Sequence, residues 1–183
     1  MELKRKAPSA SQRGMSLIEL MIASFVLTVG VLGCAAVIPL AIGTNFKNRQ
    51  QSNSTVIAQM TMEKISSASA GGSAALIITD CLGAANTINI TGSTAGTGAA
   101  LLSTGSADFS RLQGSSGAPA GYYMSYTSCG TSGRQSIYDV RWNVQTPSSY
   151  VSLVTVSAKM KSSGTNPNLL SLPVTIRTIV GGS

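Results

Sequence analysis

The chain begins with a long run of apolar positions and ends with runs in which apolar and polar residues alternate. From Met15 to Ile42, a stretch of 28 residues, there is no Lys, Arg or Asp, and Glu19 is the only ionisable carboxylate. As an α-helix this stretch is about 42 Å long, at about 1.5 Å per residue. A bilayer core needs about 20 apolar residues. The pattern therefore predicts a helix long enough to span a membrane.

The helix is expected to continue beyond the apolar run, as an amphipathic segment over residues 43–70. Pro39 interrupts the run, but neighbouring helices can satisfy the backbone groups that a proline frees, which gives a kink rather than an end. A moderate apolar stripe then recurs at helical spacing and consists of Val56, Ile57, Met60 and Ile65. We expect one helix over about residues 15–68, ended by Gly71 and Gly72.

The C-terminal part has the period-two alternation of half-buried strands. Along residues 138–144 the apolar side chains Tyr138, Val140, Trp142 and Val144 alternate with the polar side chains Asp139, Arg141 and Asn143. Further strands are predicted over residues 150–161, 172–180 and 121–128. Short connections favour an antiparallel meander. The predicted fold class is therefore α+β, with the long N-terminal helix packed against an antiparallel β-sheet in a domain spanning residues 71–183.

The segment between these regions is harder to assign. A short strand or a helical turn is predicted over residues 74–78, and a strand over residues 87–91. Residues 92–117 are rich in Gly, Ser, Thr and Ala, which is typical of a variable surface loop. The stretch Gly92–Gly98 lacks the lysine and the strand–helix frame of a phosphate-binding loop, so we reject that interpretation.

Charge changes the picture at the N-terminus. The formal net charge is +7. Residues 1–14 contain four cations and one carboxylate, Glu2. Their removal lowers the formal net charge by 3, to about +4. Positive residues before an apolar helix favour a cytoplasmic N-terminus, so the domain after the helix is expected on the other side of the membrane.

The junction between the basic leader and the apolar run carries a short motif: Gly14, Met15, Ser16, Leu17, Ile18 and Glu19. It resembles the N-terminal motif of type IV pilins and type II secretion pseudopilins, with Met15 where that family usually has Phe and Ser16 where it often has Thr. A conventional secretory signal, or lipidation at Cys34, would be an alternative. Neither scheme requires a charge such as Glu19 inside the apolar run.

The resemblance implies a processing and assembly pathway. An inner-membrane aspartyl prepilin peptidase would remove residues 1–14 by cleaving between Gly14 and Met15, and would methylate the new amine of Met15. Residues 15–42 would anchor the chain in the inner membrane and later form the filament core with other pilin subunits. Glu19 would pair with the N-terminal amine of a neighbouring subunit. Its alternative role is a solvated carboxylate near the head-group boundary.

Residues 137–180 carry a second resemblance, to PilV-type minor pilins, although Ala158–Met160 stands where such proteins often have an aromatic residue. A structural minor pilus subunit on the cell surface, priming assembly or located at the tip, is therefore the leading hypothesis. A type II secretion pseudopilin, a DNA- or surface-binding pilin and a simple membrane-anchored receptor are the alternatives.

Enzyme chemistry is disfavoured. The chain has no histidine, which removes the commonest general base and metal ligand. Five carboxylates follow the leader, with no spacing that indicates an acid–base pair: Glu19, Glu63, Asp80, Asp108 and Asp139. We expect no catalytic site, cofactor or metal. In an oxidising compartment Cys81 and Cys129 can form a disulfide, the alternative being two separate thiols.

Nucleic acid is the remaining candidate partner. Six cations and three tyrosines supply the residue types for a binding patch: Arg111, Arg134, Arg141, Lys159, Lys161 and Arg177, with Tyr122, Tyr123 and Tyr126. Phosphate binding needs clustered cations. These residues are spread over several predicted elements, and a solvated sheet face explains them equally well, so nucleic acid is the disfavoured partner.

Overall fold

The computed structural model describes residues 15–130, 133–161 and 172–181. The chain divides into two compact units, Met1–Thr44 and Asn45–Ser183. The predicted leader, including Gly14, lies outside the described residues. The described residues form one helix and seven strands: α1 (Leu17–Ala70), β1 (Ala75–Thr79), β2 (Ala85–Asn89), β3 (Thr97–Gly98), β4 (Tyr123–Cys129), β5 (Gln135–Ser148), β6 (Val151–Met160) and β7 (Val174–Gly181).

Helix α1 has the predicted extent and a defined C-terminal stop. It continues through Pro39 and ends at Ala70. Gly72 adopts φ +71°, and the N–H of Ser73 donates to the carbonyl of Ala68 at 3.0 Å. This left-handed glycine cap satisfies carbonyl groups that the last helical turn would leave unpaired. The prediction that Gly71 and Gly72 end the helix is confirmed.

In the second unit, one face of α1 is buried. Its buried residues are Gln50, Ser54, Ile57, Ala58, Thr61, Met62 and Ile65. Met60 is partly buried against the core, but Val56 is 60% exposed. The predicted stripe was therefore wrong at Val56. Ala58 lies at the centre of the buried face, and Val56, two residues earlier, is rotated from it by about 200° around the helix axis.

Two antiparallel sheets follow the helix. Strands β1 and β2 form a hairpin, while β5, β6 and β7 form the predicted antiparallel meander. Strand β4 pairs with the first half of β5. Strand β3 pairs with β5 further along, where Thr97 of β3 lies opposite Val144. Strand β6 takes the other edge of β5. Strand β5 is therefore the central strand of the larger sheet.

The apolar face of β5 forms the core with α1. Trp142 is fully buried and lies opposite Val156 of β6, as Val140 lies opposite Ala158. These side chains belong to the same buried cluster as Ile57 and Ile65 of the helix. Trp142 also donates its indole N–H to the carbonyl of Asn89 at 2.8 Å, which ties the small hairpin to the larger sheet. The predicted packing of the helix on one sheet face is thus confirmed.

The opposite face of β5 differs from the solvated polar face that the alternation predicted. Asp139, Arg141 and Asn143 are all buried. The cover is the segment over residues 99–118, which the sequence indicated as a variable surface loop. Asn143 Nδ2 donates to the carbonyl of Ala99 at 3.0 Å, and the Ala107 N–H donates to Ser157 Oγ at 3.0 Å. Residues of low hydrophobicity therefore form a packed layer through hydrogen bonds.

Arg141 holds that layer in place. Its Nη1 donates to the carbonyls of Asp108 at 2.8 Å and Arg111 at 2.9 Å, and its Nη2 donates to Asp139 Oδ2 at 2.7 Å. The guanidinium carbon also lies 5.0 Å from the centre of the Phe109 ring. A buried guanidinium is stable when its donors are paired in this way.

We expect Arg141→Met to lower the free energy of unfolding by about 3–5 kcal/mol, because it leaves a buried carboxylate and two carbonyls without their partner. Urea unfolding of the full chain in neutral detergent, followed by near-ultraviolet circular dichroism of Trp142, measures the loss. Arg111→Met is the matched control. Arg111 forms an exposed ion pair with Asp108, so we expect a change of at most about 1 kcal/mol. Equal losses in the two variants would contradict this role of Arg141.

Candidate functional site

The first candidate site is the start of α1. Met15 is 65% exposed, and Ser16 precedes the first helical residue. Ser16 Oγ accepts a hydrogen bond from the Glu19 N–H at 3.4 Å. This is the N-cap arrangement in which a serine side chain satisfies a free N–H of the first turn. Sequence reasoning missed this role of Ser16, although the spacing Ser-x-x-Glu before an apolar run is its known signal.

Glu19 therefore occupies the third helical position. A carboxylate in the first turn is favoured by the helix dipole by about 0.3–1 kcal/mol. Glu19 makes no ion pair within the part of the chain that the structure describes. In water this arrangement needs no further partner, whereas in an apolar environment an unpaired carboxylate costs several kcal/mol. The environment of the apolar segment therefore decides what Glu19 requires.

The part of the chain that the structure describes does not supply an apolar environment for this segment. Every large apolar side chain between Met15 and Ile42 is 56–78% exposed. Within the described residues, α1 is the one helix long and apolar enough to cross a membrane, and none of its most apolar stretch is buried. Soluble monomers rarely expose contiguous apolar patches larger than a few hundred Å². This segment therefore needs lipid or other apolar helices around it.

The second candidate site ties the β1–β2 hairpin to β4. The structure contains a disulfide between Cys81 and Cys129. Beside it, Asp80 Oδ1 accepts the N–H groups of Leu82 and Ala84, both at 2.9 Å, and its Oδ2 accepts that of Thr127 at 3.3 Å. The disulfide closes a long loop, which stabilises a chain by about 4 kcal/mol in the entropy model.

The candidate nucleic-acid residues do not form one exposed patch. Arg141 and Tyr122 are buried, and the Tyr122 hydroxyl donates to the carbonyl of Thr91 at 2.7 Å. Arg111 pairs with Asp108 at 3.3 Å. Tyr126 packs against the core. These groups therefore stabilise the fold rather than present cations and aromatic faces to a phosphate backbone.

The remaining candidates are also separated. Lys159 lies 5.9 Å from the Phe109 ring centre, and Arg134 lines a cavity beside α1. The guanidinium of Arg177 covers Gly105, where an added Cβ would collide with it. Among the described residues, no group of three or more Cys, Asp or Glu side chains is placed to hold a metal ion.

Comparison with known proteins gives one result for the N-terminal site. Residues 9–35 match the family described as the prokaryotic N-terminal methylation motif. No significant match is found among curated proteins or among solved structures. The motif indicates a type IV pilin-like or pseudopilin-like protein with a membrane-anchoring apolar helix. It points to a structural protein that associates with a prepilin peptidase and with other pilin subunits. It does not support the PilV-type subfamily, which stays a prediction.

The Asp80 geometry predicts a pH dependence. Burial alone would raise the pKa of Asp80, but the hydrogen bonds from Ala84, Leu82 and Thr127 together hold it below its ordinary value of 3.8. A carboxyl whose pKa is lowered by folding stabilises the native state above its unfolded pKa, and this contribution is lost as the pH falls through the folded pKa. The loss is therefore expected below about pH 4.

We expect Asp80→Asn to lower the melting temperature at pH 7. The fall in melting temperature between about pH 5 and about pH 2 should be smaller in this variant than in the wild type. Asp108, whose pKa is lowered chiefly by the Ser110 hydroxyl, will retain part of the acid sensitivity. Glu63→Gln removes an exposed carboxylate of α1 and serves as the matched control. Thermal melts of the oxidised full chain measure the melting temperature at pH 7 and its decrease in acid for each variant. An acid profile of Asp80→Asn identical to wild type would refute the assignment.

Proposed function

We propose that this chain is a structural minor subunit of a type IV pilus, anchored in the inner membrane by its N-terminal helix before it enters the filament. One observation carries the proposal. The matched motif, residues 9–35, covers most of the apolar segment over residues 15–42, whose side chains are all exposed and whose one charge is Glu19. Such a segment is stable in lipid and equally stable when surrounded by the same segments of other subunits.

The proposed processing starts at the leader. Prepilin peptidase removes residues 1–14 by cleavage between Gly14 and Met15 and methylates the amine of Met15. The mature chain then consists of the membrane or filament-core segment 15–42, the amphipathic continuation 43–70 and the β-domain 71–183. The leader cations favour retention of the N-terminus in the cytoplasm. The β-domain then lies beyond the inner membrane, where a disulfide such as Cys81–Cys129 can form.

Assembly would place Glu19 and the Met15 amine in an apolar helix bundle. Each group alone is costly in that environment, since a buried charge without a partner is strongly destabilising. Pairing the carboxylate of one subunit with the amine of its neighbour neutralises both charges. The pairing also sets how far one helix is displaced along the next, because the two groups meet at only one axial offset.

The minor-subunit assignment rests on the likeness of residues 137–180 to PilV-type minor pilins, a stretch that contains β6 and most of β5 and β7. Such a subunit would prime assembly or occupy the tip, exposed at the cell surface. A type II secretion pseudopilin uses the same N-terminal chemistry and is the second candidate. Co-purification with sheared pili supports the first function, whereas loss of secreted enzymes in a deletion strain supports the second.

We expect the mature chain to begin with N-methylated Met15. Top-down mass spectrometry of protein recovered from cell membranes measures this, and a strain without prepilin peptidase should retain residues 1–14 and an unmodified backbone amide at Met15. A chain that begins after a conventional signal cleavage, or at a lipidated Cys34, would lack Glu19. That result would end the filament proposal.

We expect Glu19→Ala to reduce the amount of this subunit in sheared filaments by about tenfold or more while membrane insertion is retained. Insertion is not impaired because the substitution removes a charge that costs roughly 2.5–3.5 kcal/mol on insertion scales. Glu63→Ala removes an exposed carboxylate later in the same helix and is the control. Quantitative immunoblots of the sheared and membrane fractions provide both numbers. Normal incorporation of Glu19→Ala would instead favour a simple membrane-anchored receptor.

A further inference from the structure

A cavity of about 160 Å³ lies within the second unit, between α1 and the end of the larger sheet. The helix contributes Phe46, Arg49 and Gln50, and the sheet side contributes Ser128, Arg134 and Ser136. A cavity of about 150 Å³ holds one benzene ring. The space therefore suits a small polar group and is too small for an acyl chain.

The charge of this cavity is positive. Arg49 and Arg134 both line it, and the described lining residues include no carboxylate. Neither arginine forms an ion pair with any residue that the structure describes. Arginine presents a planar set of N–H donors that fits phosphate and carboxylate oxygens, often with two parallel hydrogen bonds. The two side chains therefore favour an anion in the cavity.

Gln50 adds a second and independent requirement. It is only 6% exposed, it lines the cavity, and its Oε1 atom has no hydrogen-bond partner. A buried acceptor without a donor destabilises the native state until something donates to it. A carboxylate or sulfate carries no O–H group, so it would engage the arginines and leave Gln50 Oε1 unpaired. A ligand with a hydroxyl group next to its anionic group would satisfy both.

We propose that this cavity binds a glycerol-linked phosphate, with the phosphate oxygens on Arg49 and Arg134 and a glycerol hydroxyl donating to Gln50 Oε1. The chemistry is that of a phosphatidylglycerol head-group or of soluble glycerol phosphate. The lipid source rests on the proposed membrane-anchored function, since Arg49 follows Ile42, the last residue of the apolar run, by seven positions in the sequence. Long Lys and Arg side chains near the end of a membrane helix reach the interface where the head-groups lie.

The binding test uses the full mature chain in neutral detergent micelles. Native mass spectrometry with equal amounts of phosphatidylglycerol and phosphatidylcholine counts the lipids that remain bound. Calorimetry with glycerol 3-phosphate and with sulfate measures binding of the soluble anions. Preference for phosphatidylglycerol with weak binding of glycerol 3-phosphate assigns the site to the lipid. Equal affinity for the two glycerol-linked ligands assigns it to the soluble phosphate.

Three variants separate the contributions. Arg49→Gln and Arg134→Gln should each weaken binding of the glycerol-linked ligands by about tenfold, the loss expected for one charge-assisted contact. Gln50→Leu should weaken binding of those ligands by several-fold but leave sulfate binding unchanged, and it should not lower the melting temperature. Lys64→Gln removes an exposed cation of the same helix outside the cavity and should leave binding unchanged.

The proposal is overturned if no glycerol-linked phosphate binds, or if Lys64→Gln weakens binding as much as Arg134→Gln, which would indicate unspecific attraction to a basic surface. Binding of single-stranded DNA without binding of glycerol 3-phosphate would assign the arginines to nucleic acid and would also overturn it. These measurements use unassembled protein. Their failure therefore leaves the methylation and incorporation results for the proposed function untouched, and the reverse also holds.

Discussion

Strand β5 is the element on which the folded domain depends, because both of its faces and both of its edges are covered. Its apolar side chains pack under α1, and its polar side chains lie beneath residues 99–118. Trp142 and Arg141 are neighbours in sequence and lie on opposite faces of the sheet, each buried to 97% or more. The two faces use different physics. Burial of apolar surface stabilises the first, whereas the second is stable only while each buried donor and acceptor has a partner.

The N-terminal segment follows the opposite rule. The domain pairs most of its buried polar groups internally, whereas the large apolar side chains of residues 15–42 are left exposed by the part of the chain that the structure describes. An apolar helix of this length and an autonomous β-domain fit a protein that passes from a membrane to an assembly, since both surroundings supply the same apolar contacts. The domain can then fold once and remain unchanged while the surroundings of the helix are exchanged.

Much of this structure could be predicted from periodicity, and the errors have physical reasons. The alternation of Tyr138, Val140 and Trp142 fixed one face of β5, and Gly72 at a left-handed φ explains the end of α1. The same alternation misjudged Arg141, because period two identifies which residues share a face and not what covers that face. The cover over residues 99–118 is rich in Gly and Ser, and it packs through backbone groups that carry no hydrophobic signal. The cavity is lined by Arg49 and Gln50 together with Arg134, which is far from them in sequence. No local sequence pattern predicts that these side chains lie close together.

Glu19 shows how a local and an intermolecular role can share one residue. Its N–H is bound by Ser16, so its place in the first turn is set within the chain and does not depend on a partner. A carboxylate in the first helical turn interacts favourably with the helix dipole. That stabilisation is small beside the cost of an unpaired charge in hydrocarbon. The helix can therefore present Glu19 at a membrane boundary, where water is near. Withdrawal into an apolar bundle requires a cation at the same depth. In the proposed assembly, the Met15 amine released by cleavage, four residues earlier, would supply a charge of the correct sign in every subunit.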